Sequence, residues 1–195
     1  MIDVAALFVA PGGAYYGLPG VDPWDAERDA RLYAGPHPVV AHPPCERWSQ
    51  MNNVNAARWG YQLGEDGGCF AAALGAVRRW GGVLEHPAES RAFPAHDLPR
   101  PFPGGWQRTF AGDWVTEVRQ AAYGHRATKR TWLLVHGVVP PVLDWRRVRG
   151  THQIGGFDVT LPQLPKRERA ATPPEFRDLL LAMARTARPA VRVAA

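Results

Sequence analysis

A cysteine directly behind two prolines and a carboxylate directly behind a short apolar run are the side chains of this sequence best placed for chemistry. Val39-Val40-Ala41 reads as a buried strand that Pro43-Pro44 stops, because proline offers a sheet no N–H and fixes its own φ. Cys45 therefore opens a loop at the strand's carboxyl end, where open α/β sheets place their ligands. An ionised thiol there is a nucleophile able to split a hard step through a covalent intermediate. The other reading of Cys45 is a small buried hydrophobe. Glu85 follows Val83-Leu84 in the same way, so its carboxyl emerges from a second buried strand and faces the same cleft, placed to exchange a proton. Its other reading is a solvated carboxylate before a turn. A free thiol titrates near ~8.5 and needs help to ionise. Arg47, close behind Cys45, and the basic half of the chain are the sources of that field.

Gly12-Gly13 follow the apolar run Val4 to Val9, and glycines there let backbone amides approach an anionic group. Metal chemistry is not expected. His42, Cys45 and His86 lack the second close pair of a zinc site, and the other histidines are scattered singly. Cys69, one position before Phe70 on a helix, is assigned to packing.

Four stretches in chain order resemble the DNA cytosine-5 methyltransferases. PPCERWS resembles the family's Pro-Cys-Gln-x-Phe-Ser loop, with Glu46 for the glutamine and Trp48 for the phenylalanine. LFVAPGG (Leu7 to Gly13) resembles the glycine loop after the first strand, and VLEHPAES (Val83 to Ser90) the strand whose Glu-Asn-Val or Glu-Asn-Pro motif grips the base, with His86 for the asparagine. YGHRATKRTWLLV (Tyr123 to Val135) resembles the Gly-x-Pro-Gln-x-Arg-x-Arg strand, with Ala127, Lys129 and Thr131 at its glutamine and two arginines.

The resemblance implies Cys45 as nucleophile and Glu85 as acid partner. It implies S-adenosylmethionine as cofactor, held by Phe8, Gly12, Gly13 and Pro43, with Asp22 for the ribose hydroxyls and Trp24 stacked on adenine. DNA, expected double-stranded, would meet Arg47, Ser49, His86, Gln120, Lys129, Arg146, Arg147 and Arg149. The span from Gly13 to Cys45 is shorter than in the full family, and the family's adenine-reading acid has no counterpart. These departures suit a trimmed member of the kind found in phages and mobile elements.

With 195 residues, 46% hydrophobic and 21% charged, the chain suits one domain with one well-buried core. No apolar stretch is long enough for a membrane span, and MIDVAALFVAPGG, with its acidic start and short apolar run, is unlike a signal peptide. A cytoplasmic location with reduced thiols is expected. Residues 1–118 carry 9 basic and 13 acidic side chains, and residues 119–195 carry 14 and 5, so charges of −4 and +9 underlie the net +5. The basic half would accept a polyanion through counterion release. Its other reading is a solvated face.

The pattern of elements alternates. Strands are expected over Val4 to Val9 and Pro38 to Ala41, a short polar helix over Asp25 to Leu32, and a helix over 66–80 capped by Asp66 and stopped by Gly81-Gly82. A strand resumes at Val83, residues 91–112 form a loop, and Trp114 to Ala122 and Thr131 to Val139 pair antiparallel. Thr172-Pro173-Pro174-Glu175 has the form of a capping box before a last helix with Phe176, Leu179, Leu180 and Met183 on its apolar stripe. Together with the resemblance this gives an α/β chain with a Rossmann-like, mostly parallel sheet, helices on both faces and a trimmed methyltransferase-like fold. Residues 144–169 are a short basic recognition segment. The function expected is S-adenosylmethionine-dependent DNA cytosine-5 methylation. The alternatives are an inactive nucleic-acid-binding protein of the same fold and covalent chemistry on another pyrimidine.

Overall fold

Gly82 opens the fourth strand because nothing larger fits: a Cβ there would lie 2.0 Å from the Val39 carbonyl oxygen. The computed structural model describes residues 1–49, 57–58, 60–155 and 160–188. Its strands are β1 (Val4–Leu7), β2 (Val21–Trp24), β3 (Val39–Ala41), β4 (Gly82–Pro87), β5 (Gln107–Arg108), β6 (Trp114–Arg119) and β7 (Arg130–His136). Its helices are α1 (Cys69–Trp80), α2 (Ala92–Ala95), α3 (Lys166–Ala170) and α4 (Pro174–Arg185). The strands form one sheet in the order β2-β1-β3-β4-β7-β6-β5.

The sheet is mixed. β2, β1, β3 and β4 pair in parallel, whereas β4–β7, β7–β6 and β6–β5 are antiparallel. The expected mostly parallel sheet is therefore corrected to one divided evenly between the two kinds of pairing. The cause is local: the link from Arg119 to Arg130 holds only the 3-10 turn Gln120–Tyr123 and a short loop, too little chain for the crossover that a parallel neighbour requires.

Alternation along the strands makes two cores. Ala5, Leu7, Val39, Ala41 and Leu84 point to one face and pack with Phe70, Leu74 and Val77 of α1. Val4, Ala6, Val40 and Val83 point to the other and pack with Phe176, Leu180 and Met183 of α4. Helices thus cover both faces, as expected. Each fully buried Phe or Leu contributes about 1.5–3 kcal/mol, so these two stripes fix both helices.

Several boundaries move. α1 begins at Cys69, three residues after Asp66, yet Asp66 still serves its amino end: Phe70 N–H donates to Oδ2 at 2.9 Å and Gly68 N–H to Oδ1 at 2.9 Å. The expected helix over Asp25 to Leu32 shrinks to the 3-10 turn Ala30–Leu32, because Asp25 accepts the Glu27 and Arg28 N–H groups and holds a turn there instead. The capping box does not form: Pro173 is the cap residue of α4, and it has no side-chain oxygen to offer. Within the supposed loop over residues 91–112 lie α2 and β5. Among the described residues, no helix is long and apolar enough to cross a membrane.

Candidate active site at the carboxyl edge of the sheet

Parallel pairing brings the carboxyl ends of β1 to β4 to one edge. Leu7, Ala41 and Leu84 stand side by side in register. The next residues of β3 and β4, His42 and Glu85, therefore emerge together. β7 runs the opposite way, so its amino end, just after Lys129, meets the carboxyl end of β4: Thr131 is opposite Pro87, and Ala88 N–H donates to the Arg130 carbonyl at 3.0 Å. β6 delivers Gln120 to the same edge. The strand order also reverses here, since β2 and β3 flank β1 on opposite sides, which is the position where open sheets leave a crevice.

Glu85 is the most elaborately held side chain of this edge. His42 Nδ1 lies 3.0 Å from Oε2, and Gln120 Nε2 donates to Oε1 at 3.1 Å. Tyr15 Oη lies 2.7 Å from His42 Nε2, and the same Gln120 amide donates to Thr131 Oγ1 at 2.9 Å. Burial pushes the Glu85 carboxyl up, but the His42 hydrogen bond and charge, helped by Lys129, outweigh it and hold the group below its ordinary range. Burial pushes the Tyr15 phenol well up, and the negative Glu85 adds to this.

Cys45 is exposed and precedes the 3-10 turn Glu46–Trp48. It lines an open cleft of about 220 Å3 with Trp48, Ser49, Pro87, Ala88, Glu89 and Ser90. The cleft walls enclose its thiol in part. That enclosure pushes the thiol up, the Glu85 and Glu46 carboxylates push it further, and Lys129 works the other way. Arg47, expected to supply field, instead stacks on Tyr61, 3.3 Å from the ring centroid. Lys129 donates to the Ala171 carbonyl at 2.9 Å. Burial lowers its ammonium, while Glu85 and Cys45 pull it back up. Across the cleft, Glu89 pairs with Arg100 and, at 3.1 Å, with Arg130.

Two residues assigned to DNA contact lie elsewhere. His86 is wholly buried, edge-on to Phe70 at 5.2 Å, because the alternation of β4 turns it to the face opposite Glu85. Its burial lowers the imidazole to about 4. Gln120 is also buried and serves Glu85. Neither meets solvent, so both are corrected from contact residues: Gln120 supports Glu85, whereas His86 belongs to the Phe70 core. Ser49 does line the cleft. Arg146 and Arg147 are exposed on the connection after β7, as is Arg149, and Arg146 is paired to Asp144 at 2.6 Å.

The residues assigned to S-adenosylmethionine fit it unevenly. Phe8 and Gly12 have positive φ, 59° and 62°, turning the chain off the end of β1, and a Cβ at Gly12 would meet nothing within 4 Å. Gly13 is closed in: its N–H already donates to the Ala10 carbonyl at 2.9 Å. Pro43 is buried. Asp22 pairs with Ala5, level with Gly82 and short of the carboxyl edge where Trp24 stands beside Leu7, and Trp24 Nε1 donates to Asp22 Oδ2 at 2.7 Å and Arg28 to its Oδ1 at 2.6 Å. Arg28 also covers the Trp24 ring at 4.0 Å. Arg28 thus occupies both the Asp22 carboxylate and the Trp24 face, while the turn at Gly12 is open.

Comparison with protein-family models, with curated proteins and with solved structures gave no match. Among the described residues, no group of three or more His, Cys, Asp or Glu is placed to hold a metal ion. Tyr15 and the contact of His42 with Glu85 were not foreseen from the sequence. The available signal for His42 was its position directly after a three-residue buried strand, level with Glu85 after the next one. Tyr15 gave none, because its loop contact follows no period.

Proposed function

We propose that this protein is an S-adenosylmethionine-dependent DNA cytosine-5 methyltransferase with Cys45 as nucleophile and Glu85 as acid partner, built on a trimmed, Rossmann-like methyltransferase fold. The observation that carries this reading is the delivery of an accessible thiol and a buried, hydrogen-bonded carboxylate to one sheet edge by adjacent parallel strands. The two are close enough for the carboxylate's charge to act on the thiol. The resemblance of four ordered segments supplies the substrate and the cofactor.

The chemistry follows from the problem that carbon 5 of cytosine is not nucleophilic. Cys45 Sγ bonds to carbon 6, the displaced electron pair moves toward ring nitrogen 3, and Glu85 gives that nitrogen a proton. In the free protein Glu85 is ionised and Cys45 carries its proton, so Glu85 takes up the proton that Cys45 releases as its sulfur adds to carbon 6 and passes it to nitrogen 3. Lys129 favours the thiolate. S-adenosylmethionine, when bound, supplies an electrophilic methyl group. After carbon 5 has gained the methyl group, the nitrogen returns its proton to Glu85, and loss of the carbon 5 proton to solvent water expels the Cys45 sulfur as the ring double bond reforms.

The experiment is incubation with cofactor and duplex DNA carrying 5-fluorocytosine, which retains the covalent adduct. Wild-type protein should give a complex that survives denaturation, and Cys45→Ser should give none while still binding DNA. Undiminished methyl transfer by Cys45→Ser would remove the covalent mechanism.

A second reading, a nucleic-acid-binding protein without catalysis, is favoured by two observations: the Asp22 carboxylate is already neutralised by Arg28, and the Cys45 thiol is pushed away from ionisation. Calorimetry with S-adenosylmethionine separates the two readings, since only the first needs it to bind. Turnover on a free nucleotide or RNA in place of DNA would point instead to another pyrimidine substrate.

A further inference from the structure

Tyr15, His42, Glu85 and Gln120 form one continuous polar chain that crosses from the loop after β1, through β3 and β4, to the end of β6. An ionised carboxylate only accepts hydrogen bonds, so at His42 the hydrogen must be on Nδ1 to serve Glu85. In the neutral ring Nε2 then has only a lone pair, and the Tyr15 hydroxyl must donate to it. The Tyr15 hydroxyl thus selects the tautomer that Glu85 needs. On the other side, the Gln120 amide nitrogen donates to both Glu85 and Thr131, and Thr131 Oγ1 donates to the Lys129 carbonyl at 3.1 Å, which fixes how the amide is turned. Each Glu85 oxygen therefore has its own donor, His42 just after β3 and Gln120 just after β6, and the carboxylate cannot rotate without breaking one of them.

We propose that His42, keyed by the Tyr15 hydroxyl, is a positioning residue for Glu85 that fixes the carboxylate in the orientation the reacting ring requires. This rests on the function proposed above and extends it to two residues outside the four matched roles. Tyr15 belongs to the loop that begins with Gly12-Gly13, so the hydrogen-bond chain joins that loop to Glu85 across the reversal of strand order. The charged and titratable groups around the chain are Cys45 after β3, His86 on β4, Lys129 before β7, and Arg177 and Asp178 on α4.

The test combines a structural and a kinetic measurement on the full chain. With histidine labelled by 15N, nuclear magnetic resonance at neutral or higher pH should show His42 protonated on Nδ1 in wild type, and a mixture of tautomers in Tyr15→Phe, which loses only a hydroxyl. In methyl transfer, His42→Leu should lower kcat on the order of 100-fold with a smaller change in KM. His42→Asn, which keeps an N–H near the Nδ1 position, should recover most of that loss. A His42 ring protonated on Nε2 in wild type overturns the proposal whatever the activity, and so does an unchanged kcat in His42→Leu. Wild-type protein that transfers no methyl group overturns the proposed function, and the tautomer in wild type and Tyr15→Phe still decides whether His42 is keyed to Glu85.

Discussion

The Glu85 carboxylate raises the proton affinity of the Cys45 thiol, its neighbour at the carboxyl edge of β3 and β4, while Lys129 lowers it. Burial is the larger cause that raises the thiol, and the carboxylate that would assist the reaction at the ring adds to it. That arrangement couples the two groups: neutralising Glu85 removes one of the causes that hold the proton on Cys45.

Alkylation by iodoacetamide reads this coupling directly, because only the thiolate reacts. Followed at the Cys45 peptide to separate it from Cys69, the rate should rise through a midpoint above the ~8.5 of a free cysteine. Glu85→Gln removes a negative charge and should move the midpoint down. Lys129→Met removes a positive one and should move it up. A midpoint indifferent to both variants would show that neither charge reaches the sulfur.

Asp22 and Arg28 give opposite expectations for the cofactor. Asp22→Ala removes the proposed ribose acceptor, and titration calorimetry should show weaker binding of S-adenosylmethionine. Arg28→Ala uncovers both the carboxylate and the Trp24 ring, so binding should tighten or stay level. Loss of binding in Arg28→Ala would mean that this arginine holds the ligand and that the pocket assignment is wrong.

The sequence showed the edge of the site more clearly than its interior. Two apolar runs that stop short, one at Pro43-Pro44 and one at Glu85, were enough to mark the carboxyl ends of two parallel strands, because strand termini and side-chain alternation are local properties. The antiparallel half of the sheet was legible only as the β6–β7 pair, since β4's pairing with β7 depends on contacts far apart in the chain. The roles of His86 and Gln120 were misread for a related reason. Resemblance places a residue along a strand, but one step of alternation sends His86 to the Phe70 core while Glu85 faces His42. Asp25 cut short an expected helix by taking backbone donors into a turn, a competition that apolar spacing does not show.

His86 makes stability depend on pH. The buried ring is held down to about 4 from its ordinary 6.5, so between these values the unfolded chain binds a proton that the folded chain does not. Stability is then full above 6.5 and falls as the pH is lowered toward 4, by about 3 kcal/mol in total. Urea unfolding at several pH values should show this slope, and His86→Leu should flatten it whatever its effect at neutral pH. An equal slope in His86→Leu would assign the dependence to other groups.

The basic half of the chain offers unequal contacts to DNA, because neighbouring acids already engage some of its arginines. Arg146 holds Asp144 through both carboxylate oxygens, with its Nε at 2.9 Å from each, whereas Arg147 beside it is exposed. A phosphate that meets Arg147 releases a counterion, and one that meets Arg146 must first displace Asp144. Arg147→Ala should therefore flatten the slope of log affinity against log salt by about one unit for any duplex sequence, and Arg146→Ala by less. Removing the competitor with Asp144→Asn should raise affinity and steepen the slope through Arg146. If Arg147→Ala and Asp144→Asn both leave the slope at its wild-type value, the connection after β7 is a solvated face and DNA, if it binds, crosses another surface.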